Sequence, residues 1–521
     1  MSPSRPSRRN RFLRAICDRR GNVATVAALA MAPLAIAGLG AADLARATSA
    51  KSQLQDALDA AALAAARSNA TTDSELKVAG DKYLNQNLAL GSAFALTSST
   101  FKFGADGRVV AAAKLRVTPF VVGLVTGGSM DVGASAEVVR AGSKLEIALV
   151  LDNTGSMDQG DKLEDMKEAA ENFVDKMEEL SDKATELNTI RISLVPFSNS
   201  VRLDATAHRY SSWIDQSGNS PINDEIFTTA TGTQHANRFD LFAQLGTSWR
   251  GCVEMRKAPY DVQDDAPTSG AMLYTPYFAV DEPDSQTSGY GDDYQNDYVS
   301  DGVSGSVTNW RVRQGKVNKY GGSKKGSMTT TFGPNRGCQL KPLRRLGTDF
   351  SGLRSAINDL NAAGNTNIPI GMAWGWNTLS PHAPFSDGVA YGTVGYKKII
   401  VLMTDGENTI DQRDTPNDGT YAGTGYIWQG RILKADGAPL PQGASDADRT
   451  AALDSRLALI CTNIKARGIE VYTIRVEDGS STLLKNCASG DDHYYNVEDS
   501  VTLTAAFESI AGQIAALHLA K

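Results

Sequence analysis

An apolar run, Ile147-Ala148-Leu149-Val150-Leu151, leads through Asp152-Asn153-Thr154-Gly155-Ser156 into a charged stretch with helical spacing. The run is short and free of Gly and Pro, so it reads as a buried strand. From Lys162, the sequence KLEDMKEAAENFVDKM places Leu163, Met166, Ala169, Ala170, Phe173, Val174 and Met177 three and four residues apart, which is one face of a helix. The turn between them carries one carboxylate and two hydroxyls at alternate positions. Above the carboxyl end of a parallel sheet such side chains converge, the usual place for a site in that architecture. Three hard oxygen donors with room for water suit Mg²⁺ better than zinc. The competing reading is an ordinary turn whose Asp and Ser cap a helix.

At 521 residues and a formal net charge of -7, the chain has room for roughly two to four domains and no overall basic character that argues for nucleic acid. Positive charge is concentrated at the start: Arg5, Arg8, Arg9, Arg11, Arg14, Arg19 and Arg20 stand against the single acid Asp18. An uncharged span follows from Val23 to Ala42. At about 1.5 Å rise per residue it matches a membrane core of roughly 30 Å. Pro33 would kink it, which membrane helices tolerate. The helical pattern then continues through residues 44–68, dominated by good helix formers. One long helix is expected, partly in the bilayer and partly emerging from it. The arginine excess places the N-terminus in the cytoplasm and the bulk of the chain outside. A signal peptide cleaved near Ala35 and Ala37, and a basic tail before a buried helix, are the alternatives.

The cysteines fit that topology. Cys17 falls on the arginine-rich side, leaving Cys252, Cys338, Cys461 and Cys487 on the other. An even number in an oxidising compartment suggests two disulfides, Cys252 with Cys338 and Cys461 with Cys487, since each pair lies within one proposed segment. Four buried thiols are the alternative. No C-x-x-C pair supports zinc or redox chemistry.

Along the chain, a short helix is expected from about Asp73 to Gln86, then three or four strands of a small antiparallel unit with turns at Gly104-Ala105-Asp106-Gly107 and Gly127-Gly128. That unit is too small to stand alone and should pack on the long helix or the next domain. From Lys144, strands and helices alternate: a strand at Ile190–Val195 ended by Pro196, a helix from Phe350 to Asn361, another from Ile368 to Trp376, a strand at Ile399–Met403, a helix at Leu453–Ala466, a strand at Ile469–Ile474, a short turn at Leu483–Cys487 and a closing helix at Val501–Leu517. Alternation of this kind implies a doubly wound, mainly parallel sheet. A polar loop is expected from Thr409 to Asp448.

Residues 201–346 interrupt the order and read as an insertion stapled by Cys252 and Cys338. Its aromatics, Trp213, Trp249 and Trp310 among them, make either a small core or a recognition surface. Asp292, Asp293, Asp297 and Asp301 lack the spacing of a calcium loop and read as a solvated face, as do Lys316, Lys319, Lys324 and Lys325. The segments are thus 1–68 (tail and anchoring helix), 69–143 (helix plus β-rich unit) and 144–521 (an α/β domain with the insertion 201–346).

Two more groups join the opening five residues. Thr366 lies on a Gly-containing loop that starts a helix, and Asp405 ends a strand. Singly, each is a cap or a turn residue. Together, Asp152, Thr154, Ser156, Thr366 and Asp405 supply oxygens for one octahedral divalent ion, Mg²⁺ first, with Mn²⁺ or Ca²⁺ as alternatives. A coordination position left open would admit a carboxylate from another protein.

Asp152-Asn153-Thr154-Gly155-Ser156, Thr366 and Thr404-Asp405-Gly406 resemble the metal-ion-dependent adhesion site of von Willebrand factor type A domains, whose pattern is Asp-x-Ser-x-Ser, then Thr, then Asp. Thr154 replaces the middle Ser and keeps its hydroxyl. The flanking segments Arg19-Arg20-Gly21-Asn22-Val23, residues 54–64, Gly251-Cys252-Val253-Glu254, residues 365–371, Trp374-Gly375-Trp376 and Tyr472-Thr473-Ile474 resemble TadG-like members of the TadE/TadG family. The resemblance implies a type A fold, a Mg²⁺ site, and a place in the tight-adherence (Flp) pilus machinery. It implies a single-pass protein of the bacterial inner membrane with its bulk in the periplasm, and a pilus or secretion component as partner. An enzyme is not expected: His208, His235, His382, His493 and His518 are scattered, none adjoins an expected ligand, and no phosphate loop with Lys is present. A scaffold whose metal site is degenerate or only stabilising is the second reading. A metal-dependent hydrolase using Asp152 or Asp405 is a third.

Overall fold

The computed structural model describes residues 22–519 apart from 69, 71, 89–93, 105–107, 120–127, 139–143, 184–187, 230–231, 234–235, 286–288 and 303–308. The arginine-rich stretch 1–21 with Cys17, and the turns expected over 105–107 and at Gly127, lie outside the described residues. The chain divides into two compact units, Met1–Ala141 and Gly142–Ala520.

The first unit begins with α1, Asn22–Ala66, which runs through Pro33. Its two halves differ in what they touch. Val26, Leu29, Met31, Leu34, Ile36 and Leu39 are exposed, whereas Leu54, Leu58, Ala61 and Ala62 are fully buried. The helix is long and apolar enough to cross a membrane, which is consistent with membrane anchoring. α2, Asp73–Asn87, is opened by a reciprocal cap between Thr72 and Glu75. Three antiparallel strands follow, β1 (Phe94–Phe103), β2 (Val109–Val117) and β3 (Met130–Val138), with β2 central. β2 alternates buried and exposed residues along its length, the pattern of a sheet covered on one face. Its buried Ala111, Ala113 and Leu115 share one apolar core with Leu54 and Leu58 of α1. The small sheet therefore completes its core on the long helix.

The second unit is built on a six-stranded sheet. In chain order its strands are β4 (Lys144–Asp152), β5 (Ile190–Phe197), β6 (Arg344–Gly347), β7 (Tyr396–Thr404), β8 (Glu470–Val476) and β9 (Tyr494–Val497). Their spatial order is β6-β5-β4-β7-β8-β9, parallel throughout except that β6 runs antiparallel to β5. β4 and β7 are buried on both faces over most of their lengths, which is why they read as unbroken apolar runs.

One face is covered by α3 (Lys162–Lys183), α4 (Phe350–Asn358) and α7 (Leu503–Leu519). The expected stripe of α3 is the buried one: Met166, Ala169, Ala170, Phe173, Val174 and Met177 are all at most 1% exposed. The opposite face carries α5 (Ile368–Leu379), α6 (Asp446–Ala466) and the insertion. Of the insertion's aromatics, Trp213, Phe227, Phe239, Trp249 and Phe278 form a core in the same cluster as Ala148, Val150, Val195 and Phe197 of the sheet, whereas Trp310 packs on Trp428 outside it. Both expected disulfides, Cys252–Cys338 and Cys461–Cys487, are formed.

Several expectations need correction. Pro196 does not end its strand but pairs opposite Leu151 inside β5; the β6 ladder stops at Leu194, so Pro196 lies where that edge needs no donor. The last residues assigned to the insertion form β6 of the central sheet. The segment 409–448 is no free polar loop, because Tyr421 and Arg431 reach the buried Glu254 at 2.5 and 2.7 Å. Arg238 joins them on the same carboxylate. Residues 481–487 form a helix rather than a turn, and β9 had no signal in the apolar pattern. Lys319 is buried against Asp281 at 2.7 Å, and the fully covered Asp301 pairs with Arg313, so neither belongs to a solvated face.

Candidate functional site

In the sheet order, the chain passes from β4 to β5 on one side and later returns to β7 on the other. The loops after β4 and β7 therefore flank the point where the direction of winding reverses, and the side chains above it are free to converge.

The loop after β4 is stitched in place by its backbone. Asn153 N–H donates to Phe197 O at 2.9 Å, Gly155 N–H to Gly364 O at 2.9 Å, and Ala363 N–H to Asn153 O at 2.8 Å. The loop before α5 is thereby held against it. Asn367, not Thr366, caps α5: its side chain accepts from Ile370 N at 3.1 Å. That leaves the Thr366 side chain free of capping, while its backbone is tied to Thr409 in both directions at 3.0 and 2.8 Å. Three loops thus meet, each anchored through main-chain groups.

Four of the five expected residues, Thr154, Ser156, Thr366 and Asp405, line one cavity of about 580 Å³. Asp152 lies beneath them, fully buried. Its Oδ1 accepts from Thr154 N–H at 2.9 Å and its Oδ2 from the Thr404 hydroxyl at 2.6 Å. The Thr154 and Ser156 hydroxyls are 2.9 Å apart, and Ser156 donates to Asp405 Oδ1 at 2.7 Å. Thr366 Oγ1 and Ser156 Oγ both border Gly406, within 3.8 and 3.9 Å of where a Cβ would stand there. The structure therefore gathers all five residues at one place.

Burial, with the Asp405 charge adding to it, pushes the Asp152 carboxyl up to about 7, against the pull of the Thr404 and Thr154 hydrogen bonds. Two carboxylates in a low-dielectric site disfavour each other's charge unless a cation is shared between them. Lys162 supplies part of that charge, its ammonium 3.3 Å from Asp405 Oδ2 and 2.8 Å from Glu477 Oε2. Burial opposes the lysine's own charge, but the two acids more than offset it and hold its pKa above the ordinary value. The donor set of two carboxylates and three hydroxyls, all oxygen, fits a hard divalent cation. Among the described residues no group of three or more His, Cys, Asp or Glu side chains gathers for a metal. The candidate set has only two such residues and depends on hydroxyls for the rest.

Nothing in the sequence marks Lys162 or Glu477 as parts of the site, and Thr404 enters there only as the neighbour of Asp405, not as a partner of Asp152. Lys162 reads as the first residue of a helix face. Thr404 sits beside Asp405, and its bond to Asp152 follows from the neighbouring positions of β4 and β7. Of the histidines, His208 packs between Trp213 and Phe385, and His493 faces Asp492 at 2.7 Å; neither borders the cavity.

A family model described as putative Flp pilus-assembly TadE/G-like matches residues 21–68, and the von Willebrand factor type A domain matches residues 146–240. The chain thus joins a TadE/G-like N-terminal segment to a von Willebrand factor type A domain. The second match holds β4, α3 and β5 with the Asp152–Ser156 loop; Thr366 and Asp405 lie beyond it. No curated protein matches the chain. Among solved structures, similar chains include the pilus adhesin SpaC of Lactobacillus rhamnosus GG, at 12% identity and a TM-score of 0.32, covering 83% of this chain and 36% of that one. The vWF domain of the type V pili tip protein Mfa5 of Porphyromonas gingivalis is similar at 12% identity and a TM-score of 0.34, covering 72% and 96%. The adhesive tip pilin GBS104 of Group B Streptococcus agalactiae is similar at 13% identity and a TM-score of 0.32, covering 71% and 99%. The chain spans about a third of the length of SpaC.

Proposed function

We propose that this is a membrane-anchored, periplasmic protein of tight-adherence (Flp) pilus assembly or adhesion, and that it binds a protein partner through a divalent-metal-dependent site. The observation that carries the reading is the convergence of Asp152, Thr154, Ser156, Thr366 and Asp405 from three loops at the winding reversal of the sheet. The TadE/G-like segment at 21–68 and the bare apolar half of α1 support the anchoring and the pilus context. The disulfides Cys252–Cys338 and Cys461–Cys487 fit an oxidising compartment.

On this reading Asp152, Thr154, Ser156, Thr366 and Asp405 hold Mg²⁺, which when bound supplies an electrophilic point for an incoming carboxylate. The chain's own part is orientation. Thr404 and the Thr154 backbone fix the Asp152 carboxylate, and the Ser156 hydroxyl fixes Asp405. The test is a pull-down from membranes with and without chelator, comparing wild type with Asp152→Ala. A partner that is captured only with Mg²⁺, and lost in the variant while the fold survives, supports the proposal. Capture indifferent to both chelator and substitution would leave the protein a scaffold.

A further inference from the structure

Lys162, the first residue of α3, touches the candidate metal set through one carboxylate and a second acid outside it. Its side chain is 11% exposed, and its Nζ lies 3.3 Å from Asp405 Oδ2 and 2.8 Å from Glu477 Oε2. Asp405 is therefore divided: Oδ1 accepts from Ser156, and Oδ2 faces the ammonium. Glu477 stands just past the end of β8 with a left-handed backbone, φ 58°, tied down by its N–H to Val497 O at 2.7 Å. That conformation is unfavourable for a residue with a Cβ. It places an acid beside the lysine, and Glu477 is itself absent from the cavity lining.

From this geometry we infer that Lys162 is a tethered competitor of the divalent cation. It neutralises Asp405 when no metal is held, and it withdraws to Glu477 when metal is held. This rests on the metal site proposed above. The physical reason is that an ammonium and a divalent ion sharing one buried carboxylate repel strongly across a few ångströms of low dielectric. Glu477 gives the displaced charge a partner close by. A side chain that merely ties α3 to the sheet would stabilise the fold without altering metal affinity.

The experiment is calorimetric titration of the full-length protein in detergent with Mg²⁺ alone, and separately with Mn²⁺, for wild type, Asp152→Ala, Lys162→Met, Lys162→Arg, Glu477→Gln and the Lys162→Met/Glu477→Gln double variant. Lys162→Met is expected to tighten binding on the order of tenfold, and Lys162→Arg to stay near wild type. Glu477→Gln leaves the ammonium to Asp405 alone and should weaken binding. It also removes a nearby negative charge, so the deciding quantity is the double-variant cycle: its effect should shrink markedly once Lys162 is Met. If Lys162→Met fails to fold, Lys162→Gln, neutral and still able to donate to Asp405, takes its place in the cycle. Lys162→Met binding that is unchanged or weaker, or a Glu477→Gln effect independent of residue 162, overturns the inference and leaves the metal site standing. Wild type showing no binding that Asp152→Ala removes overturns both.

Discussion

The Ser156 hydroxyl donates to Asp405 Oδ1 at 2.7 Å, joining loops that lie 249 residues apart in the chain. The bond crosses the winding reversal between β4 and β7, and directly beneath it lies Asp152, held by Thr154 and Thr404. The arrangement favours negative charge only conditionally. Asp152 accepts two hydrogen bonds, yet burial and Asp405 push its pKa up to about 7. The site is thus organised at some cost to the fold's own stability, as expected where a group is held for a ligand.

That cost gives a first prediction. Asp152→Asn keeps the shape and an acceptor for Thr154 N–H while removing a buried charge from beside Asp405. In chelator its melting temperature should equal or exceed that of wild type. With Mg²⁺ at a hundredfold its dissociation constant, wild type should gain about 2.7 kcal/mol and the variant nothing. Thermal melts with and without Mg²⁺ decide it. A variant that melts lower in chelator and still responds to Mg²⁺ would contradict both parts.

Much of this was readable in the chain because the informative residues sit at ends of apolar runs. Ile147–Leu151 and Ile399–Met403 are buried on both faces, so their strands stand out, and Asp152 and Asp405 mark where each run stops. The stripe of α3 was legible for the same reason. Pairing was not. Nothing in the sequence pairs Arg238, Glu254 and Arg431, yet they form a buried network that binds segment 409–448 to the insertion. Hydrophobic pattern reports what leaves water, but it does not report which charges leave water together. Lys162 was missed on the same ground, since its partners Asp405 and Glu477 lie far along the chain.

His208 predicts a pH dependence. Its ring lies 5.3 Å from Trp213 and 5.5 Å from Phe385, with Nδ1 3.4 Å from Ser211 Oγ. Burial, aided by the Arg345 charge and opposed by Asp204 and Asp387, lowers its pKa below the ordinary 6.5. A base whose folded pKa is depressed stabilises the fold above its unfolded pKa and loses that contribution as pH falls through the folded value. The urea midpoint should therefore drop between pH 7.5 and about 5, and His208→Gln should flatten part of that drop. An identical slope in wild type and variant would assign the pH dependence elsewhere.

The two disulfides should differ in what their removal costs. Cys252–Cys338 closes a sequence separation of 86 residues and Cys461–Cys487 one of 26. Chain-entropy estimates give roughly 4–5 kcal/mol for the first and roughly 3–4 for the second. Denaturant unfolding of Cys252→Ser/Cys338→Ser and Cys461→Ser/Cys487→Ser checks the order. The first pair also ties the interior of the insertion to its C-terminal part, so its loss should sensitise the insertion to protease before the central sheet opens.

The most exacting test of how the fold positions the site lies in α5. Gly371 and Gly375 are one turn apart on its sheet-facing side, and the helix approaches closely because neither has a side chain. A Cβ on Gly371 would stand 2.6 Å from the Phe197 ring, and one on Gly375 2.5 Å from Val150 Cγ2. Gly375→Ala therefore sets two effects against each other. Ala gains about 1 kcal/mol of helix propensity over Gly. Overpacking a filled core costs about 1–3 kcal/mol, and Val150 is a β-branched residue locked in a central strand that cannot swing aside. Overpacking should win, so that Gly375→Ala lowers stability by up to about 2 kcal/mol. The displaced helix carries the Thr366 loop at its N-terminus, while Asp152 stays at the end of β4 and Ser156 and Asp405 in the turns just after β4 and β7. Metal affinity should then weaken along with stability, although no donor is altered. A companion Val150→Ala change, which opens space opposite the new methyl group, should restore affinity more fully than stability, since it leaves a smaller apolar core of its own. Paired urea unfolding and Mg²⁺ titration of the three variants separate these outcomes; Gly375→Ala with unchanged affinity would mean that the Thr366 loop is held by Thr409 and Gly155 rather than by the helix.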